Sequence, residues 1–289
     1  MNTLLRTAVL NAAKELCPVK STGRPRTDHA QLLDSFLAIL TTGMQWRALR
    51  GIDFRTAHRH FIHWARVGVF QLAYRNLRRL SKRKTRKGDF VAVDTTYVKS
   101  IYGRETIGPN PTDRGRMATK LLAVVERDGL PQKLAFFAAN KSDHSTRRQR
   151  RCVPRIARRG SITPIWQESR RRVVERFFSW LDKSRRLIVR YDFTIAAYAA
   201  WTWLACARLV SQRLQYKALF FSYAMSNNKW QRLSKVLLFP NPRTVRMDTV
   251  TNSYLLKMNI GCTTQVVIAS LNRVFRVARA KENSMRQWE

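Results

Sequence analysis

Two acidic residues stand in segments whose composition suits metal-assisted phosphate chemistry. Asp94 follows the apolar run Phe90–Val93 in the segment DFVAVDTTYVKS. Glu175 lies in the amphipathic segment RRRVVERFFSWLDKSRRLIVRYD. A carboxylate beside apolar sequence is costly to bury unless a cation or hydrogen-bond donors face it. Asp94 and Glu175 are therefore the candidate positions at which carboxylates would meet a cation.

The segments around Asp94 predict a small antiparallel sheet. The run Phe90–Val93 predicts a buried strand that ends at Asp94. Two further β-rich runs, 120–126 and 132–140, flank Asp128 and Gly129, and an Asp-Gly turn between such runs indicates a hairpin. The acid therefore belongs to the first strand of a predicted meander.

Glu175 is predicted to lie on a helix that packs on this sheet. A broad apolar arc is formed by Val173, Val174, Phe177, Phe178, Trp180 and Leu181. Glu175 falls just outside that arc, where a carboxylate reaches both a metal and solvent. The alternative is a simple i,i+4 ion pair with Arg171, which contributes a few tenths of a kcal/mol. Considered without any family resemblance, the residues favour the ion pair.

The first 80 residues predict short helices. Residues 28–42 have helical spacing, with Thr27 or Asp28 as the cap and Gly43 as the end. A further helix begins near Asp53 and carries Arg55 and Arg59 opposite its apolar face. Such helices suit a helix-turn-helix reader of DNA; the alternative is a helical bundle with solvated arginines. The same segment contains His58, His60 and His63, which are predicted to be surface or capping residues.

Composition points to a polyanionic partner. The chain of 289 residues carries 55 Lys and Arg against 18 Asp and Glu, a net charge of +37. Nucleic acid fits this charge best, and an anionic membrane surface is the alternative. The apolar stretch 195–207 is too short to span a bilayer and predicts a buried helix. No signal peptide is expected, and four isolated cysteines disfavour structural zinc and disulfides.

Three strings in this order resemble the DDE transposases of bacterial insertion sequences, in particular the insertion-sequence-five group. They are VDTTYVKS, IGPNPTDRGRMATKLLAVVERDGLPQKLAFFAAN and RRVVERFFSWLDKSRRLIVRYD. The upstream STGRPRTD, TTGMQWRALR and TAHRHFIHWARVGVF resemble the helix-turn-helix domain that precedes the catalytic core there. The resemblance covers about residues 18–214. The stretch 108–115 is a motif specific to this family.

This resemblance implies an α/β fold with an all-helical helix-turn-helix domain over 1–80 and a ribonuclease-H-like mixed sheet with flanking helices over 81–215. A basic, partly helical extension over 216–289 is predicted to follow, outside the resemblance. Three carboxylates there hold two Mg2+ or Mn2+ ions for strand cleavage and transfer. By position, Asp94 is the first acid and Glu175 the last. The implied contacts with double-stranded DNA at terminal inverted repeats are Arg24, Arg26, Arg55, Arg59, Lys120, Arg185, Arg186 and Arg190.

The chain departs from the family where the second acid should stand. After Asn140 the family continues into a helix and a strand that carries this Asp. Here residues 145–160 lead directly into a stretch similar to the family's downstream part, so the strand and its Asp are predicted to be deleted. Asp143 is the nearest remaining carboxylate, but it matches another position of the family and is not expected to replace the missing acid. Two acids hold hard cations less well than three, and the first strand should be left with an open edge or be repacked.

Three function hypotheses follow. In the first, the chain is an active DDE transposase. In the second, it is a DNA-binding remnant that regulates or inhibits an intact transposase. In the third, it is a non-functional product whose core no longer packs. Strand cleavage is expected to be greatly reduced or lost. Further partners would be a second copy of the chain or an intact transposase. The location would be the bacterial cytoplasm, at the nucleoid, or the nucleus of a eukaryotic host. The extension over 216–289 resembles no family that we can name, and its sequence predicts a basic helical tail without a function of its own.

Overall fold

A computed structural model describes residues 3–18, 27–81, 90–141 and 165–226. The chain divides into two units, one with Ala8–Val210 and the other with Asn2–Thr7 and Ser211–Glu289. Within the second unit the described residues are helical, with Leu5 and Ser211 buried and Tyr216 exposed. Several predicted features lie outside the described residues. They are the DNA contacts Arg24 and Arg26, the carboxylate of Asp143, the site of the proposed deletion and most of the C-terminal extension.

The N-terminal region is helical, as predicted. Its helices are α1 (Thr3–Leu16), α2 (His29–Thr42), α3 (Phe54–Val67) and α4 (Val69–Ser81), with a 3-10 helix at Trp46–Ala48.

Local chemistry sets the bounds of α2 and α3. The Asp28 carboxylate accepts from the Ala30 amide, and Gly43 ends α2 at φ 72°, a left-handed conformation that suits glycine. Asp53 caps α3 in the same way, through the Thr56 amide. The predicted caps at Asp28 and Gly43 are therefore confirmed.

A mixed sheet follows, which makes the chain α/β as predicted. Its strands are β1 (Val91–Ser100), β2 (Gly108–Pro109), β3 (Met117–Glu126), β4 (Pro131–Ala138) and β5 (Val189–Arg190). Strand β3 pairs antiparallel with β1, β2 and β4. Strand β5 pairs parallel with β1, through Lys99 with Val189 and Ser100 with Arg190. The predicted hairpin is confirmed: Gly129 has φ 82°, and the Leu130 amide donates to the Asp128 carboxylate.

The prediction that the first strand ends at Asp94 is wrong. Strand β1 continues to Ser100 and places Asp94 in its interior. The apolar run is not buried on both faces either, since Val91 and Val93 are 36% and 40% exposed while Ala92 is buried. The two-residue period of a strand turns alternate side chains to opposite faces, so Asp94 shares the face of Ala92 and Val98.

Three helices complete the described part: α5 (Ile165–Asp182), α6 (Arg185–Ile188) and α7 (Ile195–Ser226). Helix α5 contacts β1 and β3. Its predicted apolar arc is confirmed by the burial of Val173, Val174, Phe177 and Leu181. The apolar stretch predicted as a buried helix forms the first part of α7, with Trp201, Leu204 and Cys206 fully buried. Among the described helices, none combines the length and the apolar character needed to cross a bilayer.

The N-terminal helices and the start of α7 share one hydrophobic core. The ring of Phe61 on α3 stacks on Trp201, with centroids 3.9 Å apart. Trp46 lies 5.8 Å from the same indole, and Phe36 on α2 lies 6.5 Å from it. On the sheet side, Phe136 of β4 meets Tyr198 of α7 edge to face at 5.8 Å. The apolar face of α3 is therefore buried, and its arginines point outward.

Candidate functional site: an acidic pair joined by an arginine

The structure brings Asp94 and Glu175 to one arginine. The Nε atom of Arg171 lies 3.0 Å from Glu175 Oε1 and 3.8 Å from Asp94 Oδ2. Strand β1 supplies Asp94, and α5 supplies the other two, one helical turn apart. The i,i+4 pair anticipated from the sequence is thus present, and it extends to an acid on the neighbouring strand.

The three side chains differ in exposure. Asp94 is 25% exposed, Glu175 52% and Arg171 69%. The Thr95 amide also donates to Asp94 Oδ1, at 2.9 Å. Water therefore screens the ion pairs, and such exposed pairs contribute about 0–1 kcal/mol each. The cluster lies at the rim of the contact between α5 and β1, where a large solute has access to it.

The donor set falls short of a site for two divalent cations. Asp94 and Glu175 offer the hard carboxylate oxygens that Mg2+ and Mn2+ prefer. Both already face the guanidinium of Arg171, which competes with a metal cation for the same charge. Across the described ranges, no group of three or more His, Cys, Asp or Glu side chains could hold a metal ion. The described residues therefore do not fit the complete three-acid set.

Three predicted DNA contacts are buried. Arg190 is 0% exposed, Lys120 2% and Arg186 7%. The Arg190 guanidinium donates to the carbonyls of Glu105, Asp192 and Phe193 and to the Thr119 hydroxyl. Burial lowers its pKa from the ordinary value, and the nearby Asp192 carboxylate opposes this. With its donors satisfied inside the protein, Arg190 does not face a DNA backbone.

The charged groups of Arg186 and Lys120 also bind partners inside the protein. Arg186 pairs with the buried Asp192 carboxylate at 2.8 Å. The Lys120 ammonium donates to the Lys141 carbonyl and lies over the Tyr97 ring. We therefore correct the predicted contact set by removing Lys120, Arg186 and Arg190. A buried charge needs partners inside the protein. Asp192 lies only six positions after Arg186, whereas the carbonyls of Lys141 and Glu105 lie far along the chain from Lys120 and Arg190.

The remaining described candidates are exposed. Arg55 and Arg59 project from α3, and Arg185 opens α6. The stem of Arg185 packs at the end of α2: a Cβ added to Gly43 would lie 3.2 Å from Arg185 Cβ. The N-terminal helices thus meet α6 directly. Among the predicted DNA contacts that the structure describes, only Arg55, Arg59 and Arg185 have exposed side chains.

The sequence did not predict two contacts among the N-terminal helical elements, one polar and one aromatic. Cys17, judged isolated along the chain, places its Sγ 3.5 Å from His63 Nε2. His58 packs edge-on to Trp46 at 5.0 Å. Burial lowers the pKa of His58; the Asp192 carboxylate raises it and Arg186 lowers it further. Neither contact has a sequence signal, because the partners come from separate elements.

The specific 108–115 stretch forms a tight turn that leads into β3. Asn110 is buried, and its side-chain oxygen accepts from the amide and the hydroxyl of Thr112. Gly115 adopts φ 72° and Arg114 φ 50°. This stretch therefore has a structural role in the described fold, since it sets the course of the chain between β2 and β3.

Comparison with known proteins finds one family. A family model described as "Putative transposase of IS4/5 family" matches residues 8–74, which run from α1 into α4. No curated protein and no solved structure matches the chain. The match ends before β1, so it covers the helical region and stops short of the acidic pair. It supports a transposase-like function of the IS4/5 type for this chain.

Proposed function

We propose that the chain is a DNA-binding protein of the IS4/5 transposase type whose metal-dependent strand cleavage is lost or greatly reduced. The observation that carries this proposal is the meeting of Asp94 and Glu175 at Arg171. The first acid stands on the first strand of a sheet and the last on a later helix, which is the order that the DDE resemblance implies. The partner is double-stranded DNA at the terminal inverted repeats of a mobile element.

The topology supports a ribonuclease-H-like core. Strands β1, β3 and β4 are antiparallel neighbours, β5 runs parallel to β1, and α5 covers β1 and β3. Strand β5 meets β1 through two residue pairs, Lys99 with Val189 and Ser100 with Arg190. This limited pairing suits the proposed deletion of a strand that would otherwise lie beside β1.

The acidic pair supports the loss of cleavage. In the complete site, two divalent ions activate the nucleophile and stabilise the leaving oxygen. The two carboxylates would contribute to holding them, but Arg171 already balances part of their charge. The proposed deletion removes the second of the three acids.

The charge supports retained DNA binding. The net charge is +37, and Arg55 and Arg59 are exposed on α3. Arginine guanidinium groups bind phosphate through paired donors. Such contacts give affinity that falls steeply with salt. A chain that binds terminal repeats without cutting them would interfere with an intact transposase at the same sites.

Binding and cleavage of one DNA substrate test this proposal. The substrate is a labelled duplex that carries the candidate inverted repeats flanking the gene, with a scrambled duplex of equal length as control. We expect the full chain to prefer the repeat and to leave it uncut in Mg2+ or Mn2+. Cleavage that disappears in Asp94→Ala would contradict the proposed loss of activity. Equal affinity for both duplexes would contradict repeat recognition.

A further inference from the structure

Two neighbouring loops expose a cluster of aromatic side chains. Tyr102 follows β1, whereas Tyr191 and Phe193 follow β5. These three side chains are 55%, 41% and 55% exposed, and Ile101 beside them is 46% exposed. Large exposed apolar side chains that lie next to one another form a candidate binding surface.

The three rings lie side by side with cations next to them. The Tyr102 ring centroid is 6.4 Å from that of Tyr191 and 6.2 Å from that of Phe193. The Arg104 guanidinium lies over the Phe193 ring at 5.2 Å, and Arg186 lies over Tyr191 at 5.6 Å. Arg186 is buried and its charge is balanced by Asp192 at 2.8 Å, so Arg104 supplies the exposed positive charge beside the rings. The cluster therefore combines π-faces with an exposed cation, a composition that suits a flat ligand carrying phosphate.

The two loops are fixed to each other through the backbone. The Ile101 amide donates to the Arg190 carbonyl, and the Arg104 amide donates to the Phe193 carbonyl, both at 3.1 Å. The buried Arg190 guanidinium adds bonds to carbonyls of both loops, at Glu105 and Phe193. A Cβ at Gly103 would lie 3.1 Å from the Arg190 Cζ atom. The backbone that carries the rings is thus held in place before any ligand binds, which lowers the entropic cost of binding.

We propose that the Tyr102, Tyr191 and Phe193 cluster binds the unpaired bases of single-stranded DNA by stacking. Aromatic rings beside cationic side chains are the elements from which proteins build single-strand binding surfaces. The excess of 55 basic over 18 acidic residues favours a nucleic acid over an apolar protein segment. In a duplex the base faces are covered by neighbouring bases, so the cluster discriminates in favour of unpaired DNA.

This cluster is separate from the acidic pair. Ser100 lies six positions after Asp94 on β1, which is about 20 Å at the usual rise of a strand. The inference rests on the DNA-binding role proposed above and adds a second class of DNA to it. Contacts at Arg55 and Arg59 would hold duplex phosphates, whereas the aromatic cluster would hold bases at an opened or single-stranded end.

Fluorescence anisotropy with three labelled probes tests the inference. The probes are an oligo(dT) strand, a strand of equal length made of abasic sugar-phosphate, and a duplex. The full chain is compared with Tyr102→Ala, Phe193→Leu and the control Tyr216→Ala, which removes a tyrosine that is 71% exposed outside the cluster. Phe193→Leu keeps apolar volume and removes the ring, so it guards against a folding defect in the alanine variant.

We expect the wild-type chain to bind oligo(dT) more tightly than the abasic strand. Tyr102→Ala and Phe193→Leu should each weaken oligo(dT) binding about fivefold or more. Affinity for the abasic strand and the duplex should stay within about twofold, as should all affinities of Tyr216→Ala. An oligo(dT) containing 5-iodouracil should crosslink to peptides that contain Tyr102 or Phe193.

Four outcomes would contradict the inference. Equal wild-type affinity for oligo(dT) and the abasic strand would exclude base stacking, while duplex binding would leave the proposed function intact. An equal loss on all probes in Tyr102→Ala would indicate a general defect. A change in oligomeric state in Tyr102→Ala would instead identify a second copy of the chain as the occupant. Failure to bind any probe would contradict the proposed function as well.

Discussion

The ring of Phe61 on α3 stacks on the ring of Trp201 on α7, with centroids 3.9 Å apart and planes inclined by 23°. Residue 61 belongs to the region predicted as a DNA-binding domain, and residue 201 to the region predicted as the catalytic core. Both side chains are buried. Offset aromatic stacking in a dry core adds about 0.5–1.5 kcal/mol beyond the burial of apolar area. The two regions therefore share part of their stability.

Trp201→Ala should destabilise both regions together. Removing a fully buried indole costs about 3–5 kcal/mol. Urea unfolding followed by circular dichroism should show a single transition at lower urea concentration. Trp180→Ala is the control, because this side chain is only half-buried on α5, and its loss should cost clearly less. Two separate transitions in Trp201→Ala, with the helical signal of residues 27–81 unchanged, would contradict a shared core.

Arg171→Gln should increase the affinity of the chain for Mn2+. The substitution removes a cation that lies 3.0 Å from Glu175 and 3.8 Å from Asp94. We expect about a fivefold gain, which corresponds to about 1 kcal/mol for exposed charges in water. The electron paramagnetic resonance signal of free Mn2+ measures the binding. Arg176→Gln is the matched control, since it removes the same charge from the same helix.

The double variant Asp94→Asn/Arg171→Gln separates this effect from the change in net charge. It should lose the gain, because one of the two carboxylates no longer binds a cation. If the double variant keeps the gain, or if Arg176→Gln produces an equal gain, Arg171 does not compete with metal at this pair.

The contribution of His58 to folding stability should fall as the pH is lowered from 7 to 5.5. Burial lowers the pKa of His58 below its value in the unfolded chain, about 6.5. The unfolded state therefore takes up the proton first as the pH drops, and stability contributed by the neutral ring is lost. Urea midpoints at several pH values should have a shallower slope in His58→Gln. An unchanged slope would mean that His58 does not govern stability in this range.

Arg190→Lys should destabilise the protein although it keeps the charge. Three carbonyls, of Glu105, Asp192 and Phe193, accept from the planar guanidinium. An ammonium group cannot reproduce this fork of donors, and each buried acceptor left unpaired costs about 1–3 kcal/mol. Thermal unfolding measures the loss, with the exposed Arg185→Lys as control. Equal melting temperatures of the two variants would show that Arg190 acts through charge alone.

Local patterns predicted much of the fold. The length of α2 follows from Asp28, which caps its first turn, and Gly43, which adopts the left-handed conformation at its end. The β3–β4 hairpin follows from the Asp128-Gly129 turn between two β-rich runs. These features were predictable because capping and turn formation depend on residues within a few positions of one another.

The burial of charged side chains was harder to predict from the sequence. Arg186 and Arg190 belong to a basic segment that suits a DNA backbone, yet both are buried. Asp192 and the loop carbonyls that pair with them become neighbours only when β5, α6 and the loop after β1 assemble. The same holds for Asp94, which is an interior strand residue because β3 pairs with β1 along its whole length.

The charge of +37, the periods of the helices and strands, and the presence of Asp94 and Glu175 in motif-like segments can all be read from the chain without its fold. The meeting of both acids at Arg171, the burial of three predicted DNA contacts and the placement of Tyr102 beside Phe193 depend on how the elements pack. The two kinds of property differ in the range over which their interactions act. Propensity and capping act between residues close in the chain, whereas burial and ion pairing depend on which distant elements pack together.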